Sequence, residues 1–113
     1  MKQVETISVS ELSMMAERMY GDLVKAVVDV SQGLLVVDAE LHVDEEQYLL
    51  ENGSRQSDLW GLNLHPGKHG TADFIEYDSM VNIRPSQRNM SRGVENPAIR
   101  QQIIDLVARV VTP

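Results

Sequence analysis

The chain has 113 residues, a formal net charge of −7 and 42% hydrophobic residues. That length and hydrophobic content indicate one globular domain spanning residues 1–113, and they exclude a disordered chain. The absence of cysteine excludes disulfides, thiolate metal sites and cysteine nucleophiles, and so acidic a chain is repelled by nucleic acid unless it presents a local basic patch.

The first predicted element is a helix at about residues 9–22. Ser8 and Glu11 form a capping box, in which the Ser8 hydroxyl accepts from the Glu11 N–H. Apolar residues then recur at helical spacing along one face, at Leu12, Met15, Ala16, Met19 and Leu23. Gly21 weakens the last turn, so the helix is expected to end near it.

A hairpin is predicted next. Residues 24–30 are rich in valine and alternate, which favours a strand over a continuation of the first helix. Gly33 permits the turn, and a second strand is predicted at residues 35–43, with Asp38, Glu40 and His42 on one face.

A short helix is predicted at residues 45–51, because Asp44 is a good N-cap and Gly53 a good residue just past the helix end. The alternative is that the second strand continues to a turn at Asn52-Gly53. Residues 58–65 and 74–84 alternate and predict a second hairpin, which Pro85 ends. Asn96 followed by Pro97 predicts the start of a terminal helix.

These elements predict an α+β fold. It has a four-stranded antiparallel sheet, the N- and C-terminal helices on one face of that sheet, and the short helix between two hairpins. No segment reaches the roughly 18 apolar residues of a membrane span. Residues 1–13 lack the apolar run of a signal peptide, so we expect a soluble, cytoplasmic protein.

Two groups of polar residues are candidate sites. Asp38, Glu40 and His42 are weak candidates for a divalent metal, because a solvated strand face explains the same pattern and no recognised ligand spacing is present. His65 and His69 have i, i+4 spacing, but the intervening Pro66-Gly67 forbids a helix and indicates a mobile loop.

The second group lies on a basic loop that follows the last predicted strand. Arginine side chains match phosphate or carboxylate geometry, and the terminal helix begins nearby with N–H groups that attract anions. The alternative is that these arginines only pair with carboxylates of an acidic chain. The predicted ligand-binding residues are Asn82, Arg84, Arg88, Asn89 and Arg92.

Three longer runs are familiar together: ELHVDEE at residues 40–46, NGSRQSDLWGLN at 52–63 and YDSMVNIRPSQRN at 77–89. They resemble a family of short bacterial and archaeal proteins classed only as a domain of unknown function. The resemblance covers most of the chain. It implies a compact cytoplasmic domain and supplies no activity, cofactor or catalytic residue.

We therefore expect a small non-enzymatic binding or regulatory domain without a cofactor. It would bind an anionic or phosphate-bearing ligand, or a partner, through the loop from Arg84 to Arg92, and self-associate as a homodimer that protects its edge strands. Replacing Arg84 and Arg88 together by alanine would then remove binding and leave the melting temperature nearly unchanged. Neither nucleic acid nor a membrane is an expected partner.

The alternative function is a metal-dependent hydrolase or nuclease. Asp38, Glu40 and His42 would supply a metal or a general base, and Arg84 and Arg88 would hold a phosphate. This hypothesis requires both groups to converge on one cleft. A structural or scaffold role is a third option.

Overall fold

A computed structural model describes residues 1–113. The strands are β1 Lys2–Val4, β2 Ile7–Ser8, β3 Val24–Asp29, β4 Leu34–Val37, β5 Leu59–Leu64, β6 Ile75–Glu76 and β7 Val111–Thr112. The helices are α1 Val9–Arg18, α2 His42–Glu51 and α3 Pro97–Val110. Short 3-10 turns occupy much of the chain between β5 and α3. No helix is both long and apolar enough to cross a bilayer.

The main sheet has the strand order β1-β4-β3-β5-β6, and every neighbouring pair is antiparallel. This confirms the predicted α+β fold, with five strands where the sequence predicted four. The additional strand, β1, was missed because it has three residues, mostly exposed, and no alternation long enough to read. Both edge strands are short, and the predicted homodimer stays a prediction.

Helices cover both faces of the sheet. The terminal helices α1 and α3 lie on one face, as predicted, and pack against alternate residues of the strands such as Ala26, Val28 and Leu62. Helix α2 lies on the opposite face, where Leu49 packs against Val27, Val36 and Leu59. Since both faces are covered, the central strand β3 is apolar on both sides, and only Lys25 and Asp29 interrupt it.

Local helix signals are confirmed. Ser8 Oγ accepts from the Glu11 N–H at 3.1 Å, and Asn96 Oδ1 accepts from the Ala98 N–H at 2.8 Å. Helix α2 ends before Gly53, whose φ of +97° suits glycine, so the alternative strand to Asn52-Gly53 is excluded. Helix α1 ends at Arg18, about one turn earlier than predicted.

Two predicted strands are too long. Strand β4 ends at Val37 because Asp38 adopts a left-handed φ of +68°, and α2 begins at His42 rather than after Asp44. Strand β6 contains only Ile75 and Glu76, although the sequence alternates to Arg84. The predicted mobile loop after His65 is folded as a 3-10 turn, and the His69 ring packs edge-on against Phe74 with a 4.9 Å centroid distance.

The chain leaves the sheet after β6 because it crosses over β5 at Gly61. The Asn82 side chain accepts from the Gly61 N–H at 2.8 Å and donates to the Gly61 carbonyl at 3.0 Å. A side-chain amide thereby forms the hydrogen bonds that a continued strand would have made. A Cβ on Gly61 would lie 2.5 Å from Ser79 Oγ and 2.9 Å from Val81 Cγ2, so only glycine fits.

We expect Gly61→Ala to reduce the free energy of unfolding by about 1–3 kcal/mol, because the added methyl group forces the Ser79–Val81 segment away from β5. Chemical denaturation measures this loss. Gly67→Ala is the matched control, since a Cβ there meets nothing within 4 Å. Equal stability of the two variants would contradict this account of the crossing.

Candidate ligand-binding site

Arg84, the first residue of the predicted basic loop, is buried, and its guanidinium is bonded to other groups of the protein. Its guanidinium donates to the backbone carbonyls of Gln56 and Leu59. It also lies over the Trp60 ring, with its central carbon 4.0 Å from the ring centroid. Burial lowers the Arg84 pKa. Arg84 therefore holds the loop against the start of β5.

The two predicted asparagines are also bonded internally. Asn89 Nδ2 donates to the carbonyls of Asn82 and Gly93, each at 2.8 Å, and its Oδ1 accepts from the Glu95 N–H at 2.9 Å. Asn82 donates to the Arg92 carbonyl at 3.0 Å as well as to Gly61. The hydrogen bonds of these two side-chain amides hold the basic loop in its conformation.

The other two arginines are accessible to solvent. Arg88 is exposed and adopts a left-handed φ of +58° at the end of the Pro85–Gln87 turn. Arg92 is 55% exposed at its side chain and pairs with Asp78, at 2.5 Å between Nε and Oδ1. Of the predicted arginines, these two can meet a ligand without unfolding the loop.

Asp38, Glu40 and His42, the predicted candidates for a metal site, are not brought together by the fold. The prediction that Asp38, Glu40 and His42 share a strand face is wrong, because β4 ends at Val37 and His42 opens α2. The Asp38 carboxylate pairs with Arg18 of α1 at 3.4 Å, and Glu40 is exposed. No three His, Asp or Glu side chains are grouped closely enough to hold a metal ion.

His42 and Arg92 do come together, in a cleft of about 360 Å³ that we call the α2 cleft. The start of α2, strands β3 and β5, and the Met80–Asn82 turn form its walls. Six apolar or aromatic side chains line the cleft: Tyr20, Leu23, Leu41, Val43, Met80 and Val81. Six polar or charged side chains complete the lining: Lys25, His42, Asn63, Asp78, Ser79 and Arg92.

The imidazole of His42 is held in one tautomer. Its Nε2 lies 2.7 Å from the Leu62 carbonyl, which can only accept, so Nε2 carries the proton and Nδ1 keeps its lone pair. Burial lowers the His42 pKa; the hydrogen bond to Leu62 opposes this, Lys25 and Arg92 lower the pKa further, and Asp78 raises it. The ring is therefore neutral at pH 7.

The first turn of α2 presents free N–H groups beside this ring. Leu41 occupies the N-cap and has no side-chain acceptor, so the backbone N–H groups of His42 and Val43 find no partner in the protein. An uncapped helix start carries partial positive charge. Lys25 adds a full charge to the same cleft, with its ammonium 4.8 Å from the centroid of the Tyr20 ring.

Two carboxyl groups lie under α2, against the sheet. Glu45 is fully buried and neither of its side-chain oxygens has a hydrogen-bond partner, although the Ala39 N–H lies near enough to favour the charged form. Burial dominates and raises the pKa of Glu45 to about 10, so the group is protonated at neutral pH. Glu46 is nearly as buried, with Oε2 unpartnered.

The sequence predicted a helix that begins after Asp44 and did not identify Glu45 as a buried residue. The signal that was missed is a stripe at i, i+3, i+4 and i+7, formed by His42, Glu45, Glu46 and Leu49. Because three of these residues are polar, the stripe does not register as hydrophobic. A helix start at His42 would have revealed it.

A sequence model of the family described as "Protein of unknown function (DUF5674)" matches residues 3–110. No curated protein and no solved structure matches the chain. The geometry of the α2 cleft therefore carries the functional argument.

The burial of Arg84 revises the expectation that its replacement leaves stability unchanged. We expect Arg84→Ala to lower the free energy of unfolding by about 2–4 kcal/mol, since two charged hydrogen bonds and the contact with Trp60 are lost. Urea denaturation measures the change. Arg88→Ala, in the same loop but exposed, should leave stability within experimental error; a loss as large as that of Arg84→Ala would refute the assignment.

Glu45 should make stability depend on pH. The folded protein keeps a proton on this carboxyl that the unfolded chain, with an ordinary pKa near 4.5, releases. The free energy of unfolding therefore falls as pH rises from 7 to 9, with a slope of at most about 1.4 kcal/mol per pH unit. In that range His42 is already neutral in both states.

Glu45→Gln removes the titrating group and should flatten this slope, as denaturation at pH 7, 8 and 9 would measure. Glu51→Gln, on the exposed side of the same helix, is the control and should keep the wild-type slope. Parallel curves for wild type and Glu45→Gln would show that Glu45 is not the source.

Proposed function

The chain belongs to the DUF5674 family of proteins of unknown function, and on that premise we propose that it binds a small anionic ligand with an apolar part in the α2 cleft. One observation carries the proposal. A single cleft joins an uncapped helix start, two cationic side chains and a rim of exposed apolar residues.

The charge of the cleft differs from that of the chain. The whole chain carries −7, whereas the cleft is lined by Lys25 and Arg92 against one carboxylate, Asp78. His42 is neutral and adds no repulsion to an anion. Positive groups around a concave site raise the local concentration of anions. Arg92 thus retains the role predicted from sequence, and the proposed site moves from Arg84 to the start of α2.

The apolar rim supports a ligand that is more than a simple ion. The protein has ten exposed large hydrophobic side chains, and four of them line this cleft. Their exposed fractions are 44% for Tyr20, 51% for Leu41 and Val43, and 65% for Met80. Apolar side chains gathered around a few polar groups are typical of small-molecule sites.

A larger groove of about 570 Å³ lies beside α3 and is the main rival. It is lined mostly by apolar side chains, including Ile104 and Val107. Its cation, Arg100, lies 4.8 Å from the Tyr77 ring centroid and donates to the Val94 carbonyl. Arg100 is the only arginine or lysine of this groove, whereas the α2 cleft has two cations, of which Lys25 forms no salt bridge; the α2 cleft is therefore the better anion site.

The alternative of a metal-dependent hydrolase or nuclease required the acidic residues and the arginines to converge on one cleft, and they do not. Asp38 pairs with Arg18, Arg84 is held at the Leu59 end of β5, and neither lines the α2 cleft. No observation favours metal-assisted hydrolysis over binding.

The proposal is tested by thermal denaturation with sulfate, acetate and 4-methylpentanoate. We expect 4-methylpentanoate to stabilise the wild type most, because it joins a carboxylate to an apolar chain. At a hundred times its dissociation constant a ligand adds about 2.7 kcal/mol to the free energy of unfolding. Arg92→Ala should lose most of this gain and Arg92→Lys part of it.

Arg88→Ala is the matched control, because it removes an exposed arginine of the same loop outside the cleft. It should keep the full gain. No stabilisation by any of the three anions, or an equal loss in both alanine variants, would overturn the proposal.

A further inference from the structure

Strand β6 lies at one edge of the main sheet, and its outer side has no neighbouring strand. Strand β5 is the only element in extensive contact with it. Ile75 and Tyr77 line the groove of about 570 Å³ beside α3, which we call the α3 groove. This groove shares no lining residue with the α2 cleft, so it is a separate site that does not depend on the function proposed for that cleft.

Backbone groups of β6 are left unbonded on its outer side. The His65 N–H donates to the Phe74 carbonyl at 2.9 Å, which marks a hydrogen-bonded position of the antiparallel ladder between β5 and β6. Such positions alternate, so Glu76 occupies the next one, and Ile75 and Tyr77 direct their backbone groups away from β5. The N–H and carbonyl of Ile75 and the N–H of Tyr77 have no partner in the loops, turns or side chains either. An edge of this kind pairs readily with an added strand.

The α3 groove beside this edge is apolar and has a single full positive charge. Ile75 and Tyr77 pack on the face of the sheet that α3 covers, and Ile104 of α3 is 43% exposed in the groove. Arg100 is exposed, forms no salt bridge and lies 4.8 Å from the centroid of the Tyr77 ring. No aspartate or glutamate lines the groove, although the chain has 17 of them. A carboxylate placed beside Arg100 would complement its charge.

We propose that an extended segment of a partner protein pairs with β6 and places alternate side chains in the α3 groove. Every pair in this sheet is antiparallel, and a strand added in the same way exchanges two hydrogen bonds with Ile75. The residue across from Ile75 then points into the groove and is apolar. The residue across from Tyr77, two positions earlier in the segment, lies beside Arg100 and is acidic.

Other occupants satisfy fewer of these groups. A small apolar molecule fills the groove and leaves the backbone of Ile75 unpaired. A second copy of the chain, paired through its own β6 about a two-fold axis at Glu76, places an isoleucine across from Tyr77, so Arg100 meets no carboxylate. A segment with an acidic residue two positions before an apolar one satisfies the edge, the groove and the arginine together.

Two heptapeptides of the same composition test the spacing. TTETLTT, acetylated and amidated, has its glutamate and leucine two positions apart and thus on one face of a strand, whereas TTELTTT has them on opposite faces. Titration of nitrogen-15-labelled protein, followed by NMR, should show TTETLTT binding about fivefold tighter or more and shifting the amide signals of Ile75 and Tyr77. Equal affinities, or binding of neither peptide, would overturn the proposal.

Methylation of the peptide backbone distinguishes strand pairing from apolar binding. In the proposed pairing the leucine N–H of TTETLTT donates to the Ile75 carbonyl, and the N–H of the preceding threonine points away from β6. Methylating the leucine nitrogen should weaken binding about tenfold or more, because the Ile75 carbonyl loses its donor. Methylating the threonine nitrogen is the matched control and should leave the affinity unchanged. The same affinity for both methylated peptides would show that no strand is added.

Variants of the protein test the groove. Ile104→Glu puts a carboxylate in the groove at an exposed position and should abolish binding of TTETLTT. Gln101→Glu adds the same charge to α3 outside the groove and should bind as the wild type does. Arg92→Ala should also keep the wild-type affinity, because Arg92 belongs to the α2 cleft. Unchanged binding by Ile104→Glu would contradict the site.

Sedimentation equilibrium of the wild type and of Ile104→Glu tests the rival occupant. A wild-type protein that stays a monomer while it binds TTETLTT supports a partner segment. A dimer that Ile104→Glu dissociates, together with no binding of the peptide, would assign the groove to a second copy of the chain and overturn the proposal.

Discussion

The two hydrogen bonds between the Asn82 amide and the backbone of Gly61 are the contact on which the rest of this face depends. They close the side of β5 that β6 leaves open, and they lay the Met80–Asn82 turn across the strand. Asn89 then bonds to Asn82, so the basic loop folds back on the same point. One wall of the α2 cleft exists because a side-chain amide replaces a strand.

Helix α2 forms the opposite wall, and its packing is unusual for a helix on a sheet. Leu49 is a buried apolar residue, as expected for such a helix, but His42, Glu45 and Glu46 are also buried. Burial favours the neutral forms of both His42 and Glu45, which is how the interface tolerates them. Three of the six unpartnered buried side-chain atoms belong to Glu45 and Glu46 of this interface, and natural proteins depart from ideal packing mainly where function requires it.

The cleft combines weak features that reinforce one another. Exposed cations alone attract any anion, and a rim of apolar residues alone attracts any hydrophobe. Together the two features favour a ligand that carries both an anionic group and an apolar part.

The sequence by itself determined the α+β fold, the capped starts of α1 and α3, and the β3–β4 hairpin, because these depend on contacts between residues close along the chain. It also singled out His42 and Arg92. Only the tertiary structure decided that β4 stops at Val37 and that β6 stops at Glu76, since alternation is a local pattern and a strand continues only where a partner is available. The same reason applies to Arg84, Asn89, Glu45 and Asn63: whether a polar side chain faces solvent, a backbone group or a cleft depends on residues far away in sequence.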